Sequence, residues 1–146
     1  MNNLYCTFFG HRHTSAEIAP KLKTTIIDLI ENKSVALFLV GNQGNFDLLV
    51  KKTLSELKKV YSYINYYIVL AYMPTKKDAE YPELFRNTIF PDGLESVPPK
   101  YAISRRNMWM IDKSDYVITY VEHNIGGAAQ FKEYAEKKGK KVINIA

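Results

Sequence analysis

The sequence predicts a single α/β domain, a Rossmann-like parallel sheet of about five strands with helices on both faces. Three observations predict it. Short continuous apolar runs alternate with stretches of helical periodicity along the whole chain. The runs lack the apolar–polar alternation of a half-exposed strand, as expected where helices cover both faces. Glycine-bearing turns follow three of the runs, at the carboxyl ends of strands where open α/β sheets bind their ligands.

The elements follow in order. Residues 4–9 (LYCTFF) read as a buried strand broken by Gly10. Thr14-Ser15-Ala16-Glu17 has the form of a capping box, with Thr14 as N-cap and Glu17 three residues on. Ile18, Leu22, Ile26, Leu29 and Ile30 then recur at helical spacing, and residues 32–34 end that helix. Residues 35–40 (VALFLV) form the second strand, and Gly41-Asn42-Gln43-Gly44-Asn45 interrupts the apolar pattern. Phe46, Leu49, Val50, Leu54, Leu57 and Val60 mark a second helix, and residues 67–72 (YIVLAY) a third strand. Residues 73–99 hold five of the six prolines and read as a long irregular excursion. A helix over 101–113, a strand over 115–121 (DYVITYV), a helix opening at Gly126-Gly127 and running to Lys138, and a closing strand over 142–145 complete the chain.

Composition sets bounds. A chain of 146 residues, 47% of them hydrophobic, is sized for one domain with a true core. The longest apolar run, 35–40, is far too short to cross a bilayer, and the first residues lack a basic stretch followed by an apolar one, so a cytoplasmic location is expected. The single cysteine, Cys6, excludes an internal disulfide and a cysteine-based zinc site; mid-strand, it reads as a small buried hydrophobe. The net charge of +5 suits an anionic partner, but the lysines are scattered in pairs and read as solvated helix surface rather than a nucleic-acid stripe. Most of the 11 tyrosines are expected to pack. His11 and His13 lack a nearby acidic cluster, so no metal is expected, and no cofactor. The sequence contains no G-x-x-x-x-G-K-[ST], G-x-G-x-x-G or G-x-S-x-G, which disfavours a P-loop NTPase, an ordinary dehydrogenase and an α/β-hydrolase.

The candidate chemistry lies at three strand ends. Gly10-His11-Arg12 follows the first strand, and Arg12 offers the planar donor fork suited to phosphate. Gly41-Asn42-Gln43-Gly44-Asn45 leads directly into a helix, where free amides and the helix dipole favour an anion. Glu122-His123-Asn124-Ile125-Gly126-Gly127-Ala128-Ala129 does the same after the fourth strand. Together they predict a phosphate-bearing, nucleotide-type ligand.

These residues resemble the SLOG superfamily, which groups the DNA-processing protein A fold, the LOG phosphoribohydrolases and the YpsA-like proteins. The YpsA-like branch looks closest. The resemblance is carried by Gly10-His11-Arg12, by a G-x-x-G-x-D-like turn with one extra residue (Gly41 to Asp47), by the stretch from Arg106 and Asn107 to Asp115, and by Gly126-Gly127 with the segment from Tyr134 to Ile145. It implies a Rossmann-like fold and a nucleotide or ADP-ribose-like ligand. The implied binding set is Gly10, His11, Arg12, Gly41, Asn42, Gly44, Asn45, Arg106, Gly126, Gly127 and Ala128, with Arg106 reaching the same cleft from its helix. The resemblance also suggests a homodimer or higher homo-oligomer.

One departure bears on chemistry. In the LOG enzymes an arginine on this helix works with a glutamate just after the second glycine turn to cleave an N-glycosidic bond. Arg106 matches the arginine, but the glutamate position falls at about Gln130, which cannot ionise. Glu122 is the rival carboxylate, so the candidate catalytic residues are Arg106 and Glu122. The expectation is a ligand sensor or binding protein. The alternatives are a nucleoside-monophosphate phosphoribohydrolase and a single-stranded nucleic-acid-binding module.

Overall fold

The computed structural model describes residues 4–77, 80 and 86–146. It contains one six-stranded sheet, β1 (Leu4–Gly10), β2 (Val35–Val40), β3 (Asn65–Val69), β4 (Thr88–Ile89), β5 (Tyr116–Tyr120) and β6 (Lys141–Asn144), in the order β4-β3-β2-β1-β5-β6. Every pairing is parallel. The sheet grows from β1 towards β4, then the chain returns across it to lay β5 on the other side of β1. The strand order therefore reverses between β1 and β5, the place where such sheets leave a crevice.

Four helices cover the sheet: α1 (Ala19–Asn32), α2 (Gly44–Val60), α3 (Pro99–Lys113) and α4 (Gly127–Lys137). Successive strand residues point to opposite faces and so divide the core in two. Cys6, Phe8, Phe38, Val40 and Ile118 pack against Leu22, Ile26 and Leu29 of α1 and Phe46, Val50 and Leu54 of α2. Phe9, Leu39 and Val117 pack instead against Met110 and Ile111 of α3 and Phe131 and Ala135 of α4. With both faces covered, continuous apolar runs are what the sheet requires.

Three local expectations are corrected. The sheet has six strands rather than about five; the extra one, β4, lies within the excursion over 73–99 and is only two residues long, too short for any periodicity. β3 spans Asn65–Val69 rather than 67–72, because its ladder pairs Asn65 with Leu37 and runs out at Ile68 against Val40. The capping box at Thr14 does not form. Ser15 is the N-cap of a short 3-10 turn (Ala16–Ile18) and accepts from the Glu17 amide at 3.2 Å, while the buried Thr14 hydroxyl donates back to the His11 carbonyl. Of two adjacent hydroxyls, only the exposed one remained free to cap.

Among the described residues no helix is long and apolar enough to cross a membrane.

Candidate functional site

The carboxyl ends of β1, β2 and β5 open into a cleft of about 410 Å³, walled by α3 and the start of α4. That is within the range of small-molecule sites, about 300–1,000 Å³. Gly10, His11, Arg12, Gly41, Arg106, Gly126, Gly127 and Ala128 all line it. Asn42, Gly44, Asn45, Glu122 and Gln130 do not. Asn42 is exposed and accepts from Lys51 Nζ at 2.9 Å.

The two glycine turns differ in what occupies their amides. At the start of α2, Gly44 takes φ +80°, and a Cβ there would lie 3.1 Å from the Cα of Arg12. The Asn45 amide donates to the Arg12 carbonyl at 2.9 Å. The Gln43 amide donates to Asp47 Oδ2, also at 2.9 Å. The Gln43 and Asn45 amides at the α2 start are thus occupied by the protein itself, and the second bond ties the helix to the Gly10-His11-Arg12 loop. At the start of α4, Gly126 takes φ +106° with no side-chain cap, and a Cβ on either Gly126 or Gly127 would meet nothing within 4 Å. The first intrahelical bond there runs from the Gln130 amide to the Gly126 carbonyl at 3.1 Å, leaving the preceding amides open. An uncapped helix start with the positive end of the helix dipole is the anion-receptive half of the cleft.

Arg106 supplies a buried cation. Its side chain is 1% exposed. Nε donates to Asn107 Oδ1 at 2.7 Å and NH1 donates to the Val69 carbonyl at 2.8 Å, so the guanidinium is fixed from two sides. Its NH2 faces Gly41, where a Cβ would come within 3.4 Å. Burial pulls the Arg106 pKa down and the Asp47 charge opposes that shift. Asp47 mirrors it. Burial raises its carboxyl pKa, against the Gln43 amide and the Arg106 charge, which lower it. The two groups make no direct ion pair. They face one another across the space that Gly41 leaves by having no side chain, since a Cβ at 41 would stand 2.8 Å from Asp47 Oδ2.

The third strand end is tied to the first. The Glu122 amide donates to His11 Nε2 at 2.8 Å, and the Tyr120 hydroxyl bonds the Glu122 carboxylate. The His11 and His123 rings lie 5.6 Å apart. Glu122 thus presents its backbone to His11 and spends its carboxylate on Tyr120, beside the cleft rather than in it. Gln130 lies exposed on α4.

Asp47, Gln43, Asn107 and the apolar wall of Ile103, Met110 and Phe131 also line the cleft and were not in the expected set. Asp47 and Asn107 sit in the quoted motifs, which was the available signal. The apolar wall carried none, being indistinguishable from core.

No family model matches the chain, and no curated protein matches it. Solved structures do. DNA processing protein A from Helicobacter pylori, described for its single-stranded DNA binding mode, superimposes with a TM-score of 0.63 at 16% identity, covering 95% of this chain and 63% of that one. DNA processing protein A from Streptococcus pneumoniae gives a TM-score of 0.65 at 15% identity over 96% of this chain and 49% of that one. The chain thus has the fold of these proteins and spans about half to two thirds of their length.

Proposed function

We propose that the cleft binds a nucleotide-derived or ADP-ribose-like small molecule through its phosphate, and that the protein acts as a ligand-binding or sensing domain of the YpsA-like kind. The uncapped start of α4 at Gly126-Gly127, opening into the same cleft as Arg12 and the buried Arg106, carries the reading. Backbone amides at a dipole's positive end, an exposed arginine and an apolar wall of Ile103, Met110 and Phe131 supply what a phosphate attached to a sugar and base requires.

A single-stranded nucleic acid is the second reading, and the comparisons favour it: one structural neighbour is described by its single-stranded DNA binding. Exposed apolar and aromatic side chains add support: Tyr72 and Tyr101 are about half exposed, at 49% and 52%, and Ile125 is exposed by 85%, the kind of surface on which bases stack.

Calorimetric titration with adenosine monophosphate, ADP-ribose and a twelve-nucleotide thymidine strand separates the two. Saturable small-molecule binding that weakens little with salt supports the first. Binding of the strand alone, with log K falling steeply against log salt, supports the second. Base release from nucleoside monophosphates tests the phosphoribohydrolase alternative, and light scattering tests self-association, which rests on the family resemblance.

A further inference from the structure

We propose that Asp47 is a specificity residue that accepts hydrogen bonds from the ribose hydroxyls of the ligand, so that the cleft prefers ribonucleotides to their 2′-deoxy counterparts. The inference rests on the small-molecule reading above and deepens it.

Asp47 enters the cleft as a constrained acceptor. It sits on the first turns of α2, and one oxygen, Oδ2, is engaged by the Gln43 amide at 2.9 Å. The other, Oδ1, has no protein donor among the described residues, and no buried side-chain oxygen or nitrogen there lacks a partner, so Oδ1 is not sealed in the core, and Asp47 is part of the cleft lining. An ionised carboxylate only accepts, and therefore selects a ligand group that donates.

A phosphate cannot be that group. Two anions in one partly desolvated cleft repel, and the receptive site for phosphate lies elsewhere, at the uncapped start of α4 beyond β5. From α2, the Asp47 side chain comes back beside Gly41, the residue that follows β2. β2 and β5 flank β1 on opposite sides, so the two sites stand two strand spacings apart, roughly 10 Å. A 5′-nucleotide laid across the Gly10-His11-Arg12 loop, phosphate towards Gly126-Gly127, brings its sugar towards β2. A ribose offers two adjacent hydroxyl donors, and a carboxylate is the acceptor that suits them.

Arg106 places a positive charge beside that acceptor. Burial raises the Asp47 pKa, and the Gln43 amide and then the guanidinium across Gly41 oppose the rise without cancelling it. Arg106 is itself fixed by Asn107 and Val69, so the acceptor is held against a rigid counter-charge rather than a flexible surface lysine. Gly41 is part of the device, because a side chain there would enter the space between the two groups.

The test measures affinity for adenosine monophosphate and 2′-deoxyadenosine monophosphate in the wild type, in Asp47→Asn and in Asp47→Ser, with circular dichroism as the folding control. A hydrogen bond to a charged acceptor corresponds to a preference of about 10- to 100-fold. We expect the wild type to prefer the ribonucleotide by that factor, Asp47→Asn to weaken the preference by replacing the charged acceptor with a neutral amide, and Asp47→Ser to lose it while still binding the deoxynucleotide. Equal affinities in the wild type would overturn the assignment without the use of any variant. A preference that survives in folded Asp47→Ser, whose short side chain no longer reaches the sugar, would overturn it as well, by moving the selection to another residue. Failure of both nucleotides to bind the wild type removes the small-molecule reading itself and the assignment with it.

Discussion

Gly10 and Phe46 are matched so closely that a Cβ on the glycine would lie 2.3 Å from Cγ of the phenyl ring. Phe46 is 1% exposed and held in the core between α2 and the sheet, so it has no room to withdraw. Gly10→Ala is expected to destabilise the protein by about 1–3 kcal/mol through overpacking. In a Phe46→Ala background the same substitution should cost less, because alanine lacks the Cγ and Cδ atoms that the added methyl group meets. Urea unfolding of the two single variants and the double variant measures the coupling, and additive losses would show that the contact is not the cause.

Gly44 and Gly127 are expected to separate structure from binding. Alanine at 44 meets a left-handed backbone and the Arg12 main chain, and should destabilise by about 1–3 kcal/mol. Alanine at 127 has open space around it and should change stability by less than about 0.5 kcal/mol, yet it sets a methyl group in the cleft. Thermal unfolding alongside nucleotide titration checks both. Weakened binding in folded Gly127→Ala, with stability lost only in Gly44→Ala, is the expected pattern.

Arg106 is expected to tolerate no replacement. Lysine lacks the planar fork that serves Asn107 and Val69 from two separate nitrogens, and should reduce stability by about 1–3 kcal/mol. Alanine leaves the Val69 carbonyl unpaired and Asp47 without its counter-charge, and should reduce it by about 3–5 kcal/mol. Denaturant midpoints order the three proteins, and a lysine variant as stable as wild type would mean that the two bonds contribute nothing net.

Stability should depend on pH through Asp47. Its carboxyl holds a proton more firmly in the folded protein than in the unfolded chain, because burial raises its pKa. Its contribution is therefore full below the unfolded value and is lost as pH rises through the folded value. The stability of wild type minus that of Asp47→Asn should fall across that window and be level on either side. Unfolding curves at steps from about pH 3 to about pH 8 measure it. A difference that rises with pH would contradict the raised carboxyl.

Neither Gln130→Glu nor Glu122→Gln is expected to alter release of base from nucleoside monophosphates. Gln130 is exposed and off the cleft, and the Glu122 carboxylate is engaged with Tyr120. Wild-type turnover that vanishes in Glu122→Gln would restore the phosphoribohydrolase reading, whereas turnover that appears only in Gln130→Glu would show that position 130 reaches the sugar and that the wild type lacks the carboxylate.

The strands and helices were legible because covering a sheet on both faces demands uninterrupted apolar runs, and β1, β2 and β5 have them. β3 was displaced by two residues because the most apolar window, 67–72, is not the one that β2 pairs with; register depends on a neighbour 28 residues away, from Leu37 to Asn65. The glycines of the cleft were legible as strand-end punctuation. What each glycine faces was not. Gly41 separates Asp47 from Arg106, a residue on a helix that returns from the far side of the sheet. Gly44 and Gly126 look alike in sequence, yet one is filled by Arg12 and the other is open.

Cys6 lies at the centre of β1 with no exposure, and burial pushes its thiol far above the ordinary range. Alkylating reagents attack the thiolate, so the intact protein should be inert to them at neutral pH. Labelling then requires the central strand to part from both β2 and β5, an opening close to complete unfolding. With a single cysteine in the chain, the rate of iodoacetamide uptake becomes a clock for that event. It can be read by mass spectrometry in a cell extract, without denaturant and without purification, and a bound nucleotide should slow it.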